Sequence, residues 1–486
     1  MKIVIVGGGV SGWISALLFP IRQPDHEYVI VESPEVKTIG VGEGTTGFFT
    51  SHVISKYFNI TIEEFLRETK ATPKIGIEFN NWNRIGSTYF NPIDGSITKS
   101  ESFDSALYYT YTKNSKLDNS SLHGLMRGIN KSPFYKSSGE LKYYDTALHL
   151  DNELAIKYLK KKALNAKNLS YISDTVSEII RKQNGDVEKI ICETNTIEGD
   201  IFIDCTGFAR IFSDKSDWIS FKENLPMNSV TTFTRKHSKD IDMVTKANAL
   251  SSGWCWEIPT QDRIGCGYVN CDGFINQEDV EKEITSTYPD AQITNSFKFD
   301  SGKLKISWNN NVISLGLAYH FLEPLQATNI HLTIIQIDML CTKYFRHTKE
   351  RTINNLTKSS YNNFIDSLID NFKHYINAHW SGYRNDTNFW KYISEGNHLT
   401  DFTKEIIGLI KLRGLFRSDF PSLYGGTSTE LWGYTMLGLG HITKEDSFIF
   451  LKELGLYRTG VDAFYDMQNT IKKMSLLTYK DLIKKL

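Results

Sequence analysis

The sequence is short of several things that would settle a function at once. Cysteine occurs six times in 486 residues, at Cys192, Cys205, Cys255, Cys266, Cys271 and Cys341. Neither CxxC spacing nor a histidine-rich segment accompanies them, so no metal site is expected. A reduced, cytoplasmic setting is expected in place of a disulfide framework. Net charge is nearly absent too: 55 Lys+Arg against 56 Asp+Glu leave a formal charge of -1. That balance makes no electrostatic case for binding nucleic acid or an anionic membrane surface. No apolar run has the length a bilayer span needs. The apolar start, Ile3 to Phe19, carries Gly7, Gly8, Gly9 and Gly12 and lacks a small-residue cleavage pattern, so it is not expected to be a secretory leader. Internal repeats and low-complexity tracts are missing as well.

What is present suffices for a large folded chain, with 40% hydrophobic and 13% aromatic residues. Ile3-Val4-Ile5-Val6 is a β-branched run suited to a buried parallel strand. It leads into Gly7, Gly9 and Gly12 in GxGxxG order, then into a helix-compatible run opening at Trp13. Such glycines permit a tight turn, close approach of backbone to a pyrophosphate, and helix-strand packing, while the helix N-terminus presents free N–H groups to the phosphate charge. Alone the pattern is weak, and a structural turn explains it equally. Tyr28-Val29-Ile30-Val31 then reads as a second strand ending in Glu32, about twenty residues past Gly12, where an acid would bond the adenosine ribose. Strand, turn, helix, strand and acid in this order predict a dinucleotide site. The run Lys160-Lys161-Lys162 sits beside Leu159 and Ala163 at helical spacing and is expected as a solvated helix face.

Two later segments favour FAD over NAD. Asp204, closing the apolar run Ile201-Phe202-Ile203, with Gly207 beyond it, resembles the second nucleotide motif of flavin monooxygenases and their relatives. Gly316 to Leu325 is placed like the segment running under the flavin in that group. No second GxGxxG follows a strand, so FADH2 is expected to arrive from a separate flavin reductase, with reduction by loosely bound nicotinamide as the alternative.

Gly253-Trp254-Cys255-Trp256-Glu257-Ile258-Pro259, followed by Arg263-Ile264-Gly265-Cys266-Gly267-Tyr268-Val269 and, farther on, Asp386-Thr387-Asn388-Phe389-Trp390, carries a more specific likeness. From residue 1 to about residue 390 the chain resembles the flavin-dependent tryptophan halogenase family, whose signature is WxWxIP. The resemblance implies an α/β fold: an FAD-binding Rossmann-like domain of the flavin monooxygenase type, an interleaved substrate-side β-sheet, and a C-terminal helical cap. It implies a flavin module over 1–345 and a mostly helical substrate-covering region over 346–486. It also implies that Trp254, Trp256 and Pro259 wall the flavin from the substrate. Alternate aromatics on one strand face are, however, ordinarily core.

Lys74 lies in Pro73-Lys74-Ile75-Gly76-Ile77-Glu78-Phe79-Asn80-Asn81-Trp82, whose period-two alternation puts Lys74 and Glu78 on one strand face. A lone lysine is usually a surface residue. The segment resembles the family run in which the lysine is catalytic, which implies that hypohalous acid formed at the flavin is passed through Lys74 to an electron-rich aromatic substrate, with halide and O2 consumed. Gly42, Glu43 and Thr45, in a glycine-rich stretch that also holds Gly40, resemble the family loop that closes over the flavin.

After Glu323-Pro324-Leu325 the family usually continues E-S-T-G, and this chain reads Gln326-Ala327-Thr328-Asn329. Gln326 accepts a hydrogen bond but brings no charge and no base. Glu78 is one carboxylate that would compensate; an activated phenol or free indole substrate is the alternative. Thr328 and Asn329 take the positions of the family's halide contacts, with Asn329 tolerating left-handed backbone. A flavin monooxygenase that hydroxylates an aromatic substrate shares the fold and the FAD motifs, as does a non-catalytic flavoprotein, but neither accounts for WxWxIP together with Lys74.

Overall fold

A computed structural model describes residues 1–36, 42–93, 103–113, 117–237, 241–345 and 354–486. Gly40 lies outside them. The predicted first strand, Lys2–Val6, sits inside a six-stranded sheet. Glu27–Glu32 and Ile201–Asp204 flank it in parallel, and Leu169–Ser173 and Val312–Ser314 extend the sheet in parallel on either side. Ile3, Val4, Ile5 and Val6 are all buried, because helices and a small three-stranded sheet cover both faces. Helix Val10–Arg22 follows the glycine turn directly, with Gly9 as its uncapped N-terminus.

A seven-stranded sheet forms the second layer, ordered Gln292–Lys298, Ser229–Arg235, Ile264–Asn270, Gly253–Pro259, Val244–Leu250, Gly76–Asn80 and Thr88–Pro92. The alternation from Pro73 to Trp82 is not one strand. It breaks at Ile75: Thr72–Lys74 pairs with Ala147–Leu150 in a three-stranded sheet that also holds Glu43–Gly44, whereas Gly76–Asn80 belongs to the large sheet. Ile75 accordingly packs with Phe90, Met243 and Val244, while Ile77 and Phe79 join the main core.

Beyond residue 354 the chain is helical, led by the 25-residue helix Asn355–His379. Helices Ser105–Thr112 and Leu122–Gly128 join this layer through Ala106, Leu125, Met126, Met467 and Ile471. The glycines and hydroxyl residues from Pro421 to Thr429 predict a loop; the chain is non-helical as far as Ser428, Thr429 opens a helix, and the segment is pinned by Thr427 N–H to Asn371 and Tyr424 O–H to Asp338. None of the described helices is long and apolar enough to cross a membrane.

Candidate functional site

The glycines of the first turn divide by surroundings. A side chain on Gly7 (φ +116°) would collide with the Cys205 carbonyl, and one on Gly12 with the Gly7 carbonyl. Those two close the turn. A Cβ on Gly9 or Gly207 would meet nothing within 4 Å, so backbone is open to a ligand at both. Gly316 (φ +57°) abuts Ser11, bringing the third motif against the start of the same helix. Asp204 is buried, one oxygen accepting from Thr206 N–H and O–H at 2.9 and 2.6 Å; burial raises its carboxyl to about 6 against the pull of these hydrogen bonds and the Arg210 charge. This donor set fits a dinucleotide.

Glu32 accepts from the Trp13 indole N–H (3.1 Å), from Lys160 Nζ (2.6 Å) and from the Tyr171 hydroxyl (3.0 Å). Lys160 also lies over the Trp13 and Tyr171 rings at 5.1 and 4.0 Å. The basic run is therefore helical, within Asn152–Ala163, but not simply a solvated face. Lys160 belongs to the candidate ribose end, and Lys162 pairs with Glu64 at 2.8 Å. Sequence spacing carries no trace of either tertiary contact.

Lys74 is 1% exposed, and among the described residues its ammonium makes one hydrogen bond, to the Thr45 carbonyl at 2.9 Å. Burial lowers it to about 7. The Thr45 hydroxyl and N–H both engage Leu148, which ties the Gly42–Thr46 loop to the strand that Lys74 pairs with. Glu43, half-buried in that loop, accepts from Asn152 at 2.5 Å. A Cβ on Gly44 would stand 2.8 Å from Lys74 Nζ and 3.6 Å from the Ala327 Cβ. Loop, lysine and the turn opening helix Thr328–Met339 thus meet at one point.

Glu78 does not come with Lys74. Its carboxylate is engaged by Arg127 and Asn80, and the Arg127 guanidinium and these hydrogen bonds outweigh burial to hold it below its ordinary range. The sheet switch at Ile75 cancels the shared face that alternation predicted.

Behind Lys74 runs a buried polar chain. Thr72 O–H donates to the Pro259 carbonyl (2.6 Å). That commits its one proton, so His149 Nδ1, 3.1 Å away, is the donor to Thr72 Oγ1, and Nε2 receives the Thr245 hydroxyl at 2.9 Å. Burial, then the lysine charge, depress the His149 ring. Pro259, the last residue of the WxWxIP strand, thereby touches the strand that carries Lys74.

Trp254 is buried and Trp256 half-buried, with ring centroids 6.1 Å apart and both indole N–H groups lacking a hydrogen-bond partner among the described residues. Trp256 lies over Gly267, where any side chain would strike its ring. Trp254 leans on Trp82 (6.2 Å), which contacts Trp380 (4.8 Å), whose N–H donates to Glu323 at 3.0 Å. Burial raises the Glu323 carboxyl to about 8 against the opposing pull of the Trp380 and Trp254 N–H groups. The Trp254 N–H falls outside bonding geometry, so that second pull is the weaker.

Leu325 is core, and Gln326 closes a short turn. The left-handed residue here is Ala327 (φ 55°), not Asn329, which is helical. Ala327 turns the chain from Pro324–Gln326 into the 12-residue helix Thr328–Met339, at a strain of roughly 1 kcal/mol. Ala327 offers no side-chain cap to that helix, and among the described residues Thr328 Oγ1 and Asn329 Oδ1 are buried without partners. First-turn N–H groups are therefore free at this end. Asp386-Thr387-Asn388-Phe389-Trp390 is structural: Thr387 caps its helix and Trp390 bonds the Leu250 carbonyl.

A Rossmann-like sheet whose glycine turn, Asp204–Gly207 and Gly316 segments converge, joined to an aromatic-walled sheet and a buried lysine, defines a flavin-dependent enzyme of the α/β class. The tryptophan halogenase family profile matches residues 2–449, and the chain belongs to that family. This favours halogenation over the monooxygenase reading. Among curated relatives, the chain is 27% identical over 467 residues to tryptophan 7-halogenase RebH of Lentzea aerocolonigenes, spanning 88% of this chain and 86% of the relative. It is 27% identical over 425 residues to 7-chloro-L-tryptophan 6-halogenase KtzR of Kutzneria sp., spanning 80% and 81%. Among solved structures, a tryptophan halogenase from Shewanella frigidimarina superposes with TM-score 0.87 at 22% identity, covering 100% of this chain and 97% of that one. The last comparison bears on fold alone.

Proposed function

We propose that this chain is an FADH2- and O2-dependent halogenase acting on an electron-rich aromatic compound such as an indole or phenol, with chloride, bromide or iodide as co-substrate. The observation that carries the reading is Lys74: a buried ammonium with one hydrogen bond, beside both the Gly42–Thr46 loop and the turn before Thr328. Reduced flavin, when bound, supplies the activation of O2 that turns halide into hypohalous acid. A separate flavin reductase delivers it, and the chain works in the cytoplasm.

The remaining residues take roles around that group. Gly7, Gly9, Gly12 and Trp13 form the pyrophosphate turn and Glu32 the ribose acceptor. Gly42, Glu43, Thr45, Asp204, Gly207, Gly316 and Leu325 contact the rest of the flavin or set its bed. The free N–H groups at Thr328 and Asn329 receive halide. Trp254, Trp256 and Pro259 separate flavin from substrate, so that only a small oxidant reaches Lys74. As an ammonium Lys74 donates a hydrogen bond to hypohalous acid; as a neutral amine it offers a lone pair to the halogen. A value near 7 keeps both forms accessible. Residues 1–345 constitute the flavin module and 346–486 the covering region. The curated relatives are named for tryptophan, which is one member of the substrate class proposed.

The test supplies FAD, NADH, a flavin reductase, O2 and each halide, and screens indoles and phenols by mass spectrometry. Halogenated product is expected, falling at least about a hundredfold in Lys74→Ala. Hydroxylated product, or halogenation indifferent to Lys74, overturns the proposal.

A further inference from the structure

Gln326 has a partner that no motif announces. Its Nε2 lies 2.8 Å from His379 Nε2, and His379 Nδ1 lies 2.9 Å from the Tyr375 carbonyl one turn back in the same helix. A carbonyl accepts only, so Nδ1 bears the proton and Nε2 is bare. The ring is fully enclosed, against Phe79 at 5.0 Å and Trp82 at 6.3 Å, so it stays neutral. It must therefore receive the Gln326 amide N–H. The amide cannot flip without setting its oxygen against the bare His379 nitrogen, two acceptors face to face. Gln326 Oε1 is thus held on the side away from His379, with no protein partner among the described residues and without being buried. Its neighbour Ala327 faces Gly44, where a Cβ would stand 3.6 Å from the Ala327 Cβ and 2.8 Å from Lys74 Nζ.

We propose that His379 is a positioning residue that locks the Gln326 carbonyl as a fixed hydrogen-bond acceptor in the turn that meets the Lys74 loop at Ala327, selecting electron-rich aromatic substrates that carry an N–H or O–H donor on the reacting ring system. This rests on the halogenase reading for the location of the ring. Where a carboxylate would add charge, the amide adds only direction: a donor-bearing ring is oriented, and a ring with the donor methylated leaves the acceptor unpaired. His379 itself touches no substrate.

Equilibrium binding, followed by tryptophan fluorescence or calorimetry, compares indole with 1-methylindole and phenol with anisole. Wild type is expected to prefer each donor-bearing member about tenfold, and kcat/KM for halogenation to follow the same ratio. Gln326→Leu and His379→Leu should each bring the ratio to about one, and the double variant should change it no further. Gln326 is not fully buried, so Gln326→Leu keeps the test readable where His379→Leu does not fold. Nitrogen NMR of His379 supplies a readout that a merely structural role would not move. It should report the Nδ1–H tautomer, with the Nε2 resonance shifting in Gln326→Leu. Equal binding of both members by wild type, binding of neither, or a preference surviving Gln326→Leu overturns the proposal. Absence of halogenated product with the binding preference intact counts against the halogenase reading alone.

Discussion

Holding a lysine where water does not reach opposes folding, and the opposition depends on pH. For Lys74 the ordinary value of 10.5 falls to about 7 on burial. Between those values the unfolded chain keeps the proton and the folded chain does not, so stability rises with pH across the window. The full penalty is felt below about 7. Each pH unit in the window is worth about 1.4 kcal/mol. Lys74→Met should therefore be more stable than wild type in urea at about pH 6, with the lead shrinking toward about pH 10. Parallel curves at all pH values would show that the ammonium is solvated after all. Glu323 behaves in the opposite sense. Its carboxyl is raised from 4.5 to about 8, so the folded chain holds a proton that the unfolded chain has lost, and stability falls as pH rises through that interval. A buried amine and a buried carboxyl thus pull the pH profile in opposite directions.

At the scale of elements, the aromatic wall depends on a glycine opposite it. Trp256 pairs across the sheet with Gly267, whose missing side chain is the space the indole fills. Gly267→Ala is expected to destabilise by about 2 kcal/mol through overpacking, read as a lower melting temperature. An unchanged melting temperature would mean that the ring moves freely. That contact also shows what the sequence made legible. The first strand, its glycine turn and Glu32 could be read because short-range order specifies them: β-branched run, glycines at fixed offsets, acid at the next strand end. WxWxIP could be read as a motif. The fate of Lys74 and Glu78 could not, because alternation assumes one continuous strand and the chain changes sheets at Ile75. Asn329 was the reasonable left-handed residue by propensity, yet Ala327 takes that conformation because the approach from Pro324–Gln326 demands the turn one residue after Gln326. His149 and His379 carry no motif; each acquires its meaning from a tertiary partner, 77 and 53 positions away.

At the scale of the molecule, His331 fastens the Gly42–Thr46 loop to a distant segment of the helical region. Its Nε2–H donates to the Gly425 carbonyl at 2.7 Å and its Nδ1 faces the Thr46 hydroxyl at 2.8 Å, so one ring joins the end of the Gly42–Thr46 loop to the segment Pro421–Thr427. Burial lowers the ring to about 4, so the arrangement persists at neutral pH. His331→Ala should expose Tyr424 and its neighbours to faster hydrogen exchange and to proteolytic nicking, while exchange in strand Lys2–Val6 is unchanged. Uniform loosening of both regions would refute a local tether. The sheet switch at Ile75 has a further consequence for how such an enzyme diversifies. Lys74 takes its position from the small sheet shared with the Gly42–Thr46 loop, whereas the walls around the candidate ring space come from the large sheet and the helices. Under the proposed function, the lysine and the substrate wall therefore answer to separate frames, and substitutions in one sheet can reshape the wall without moving the lysine.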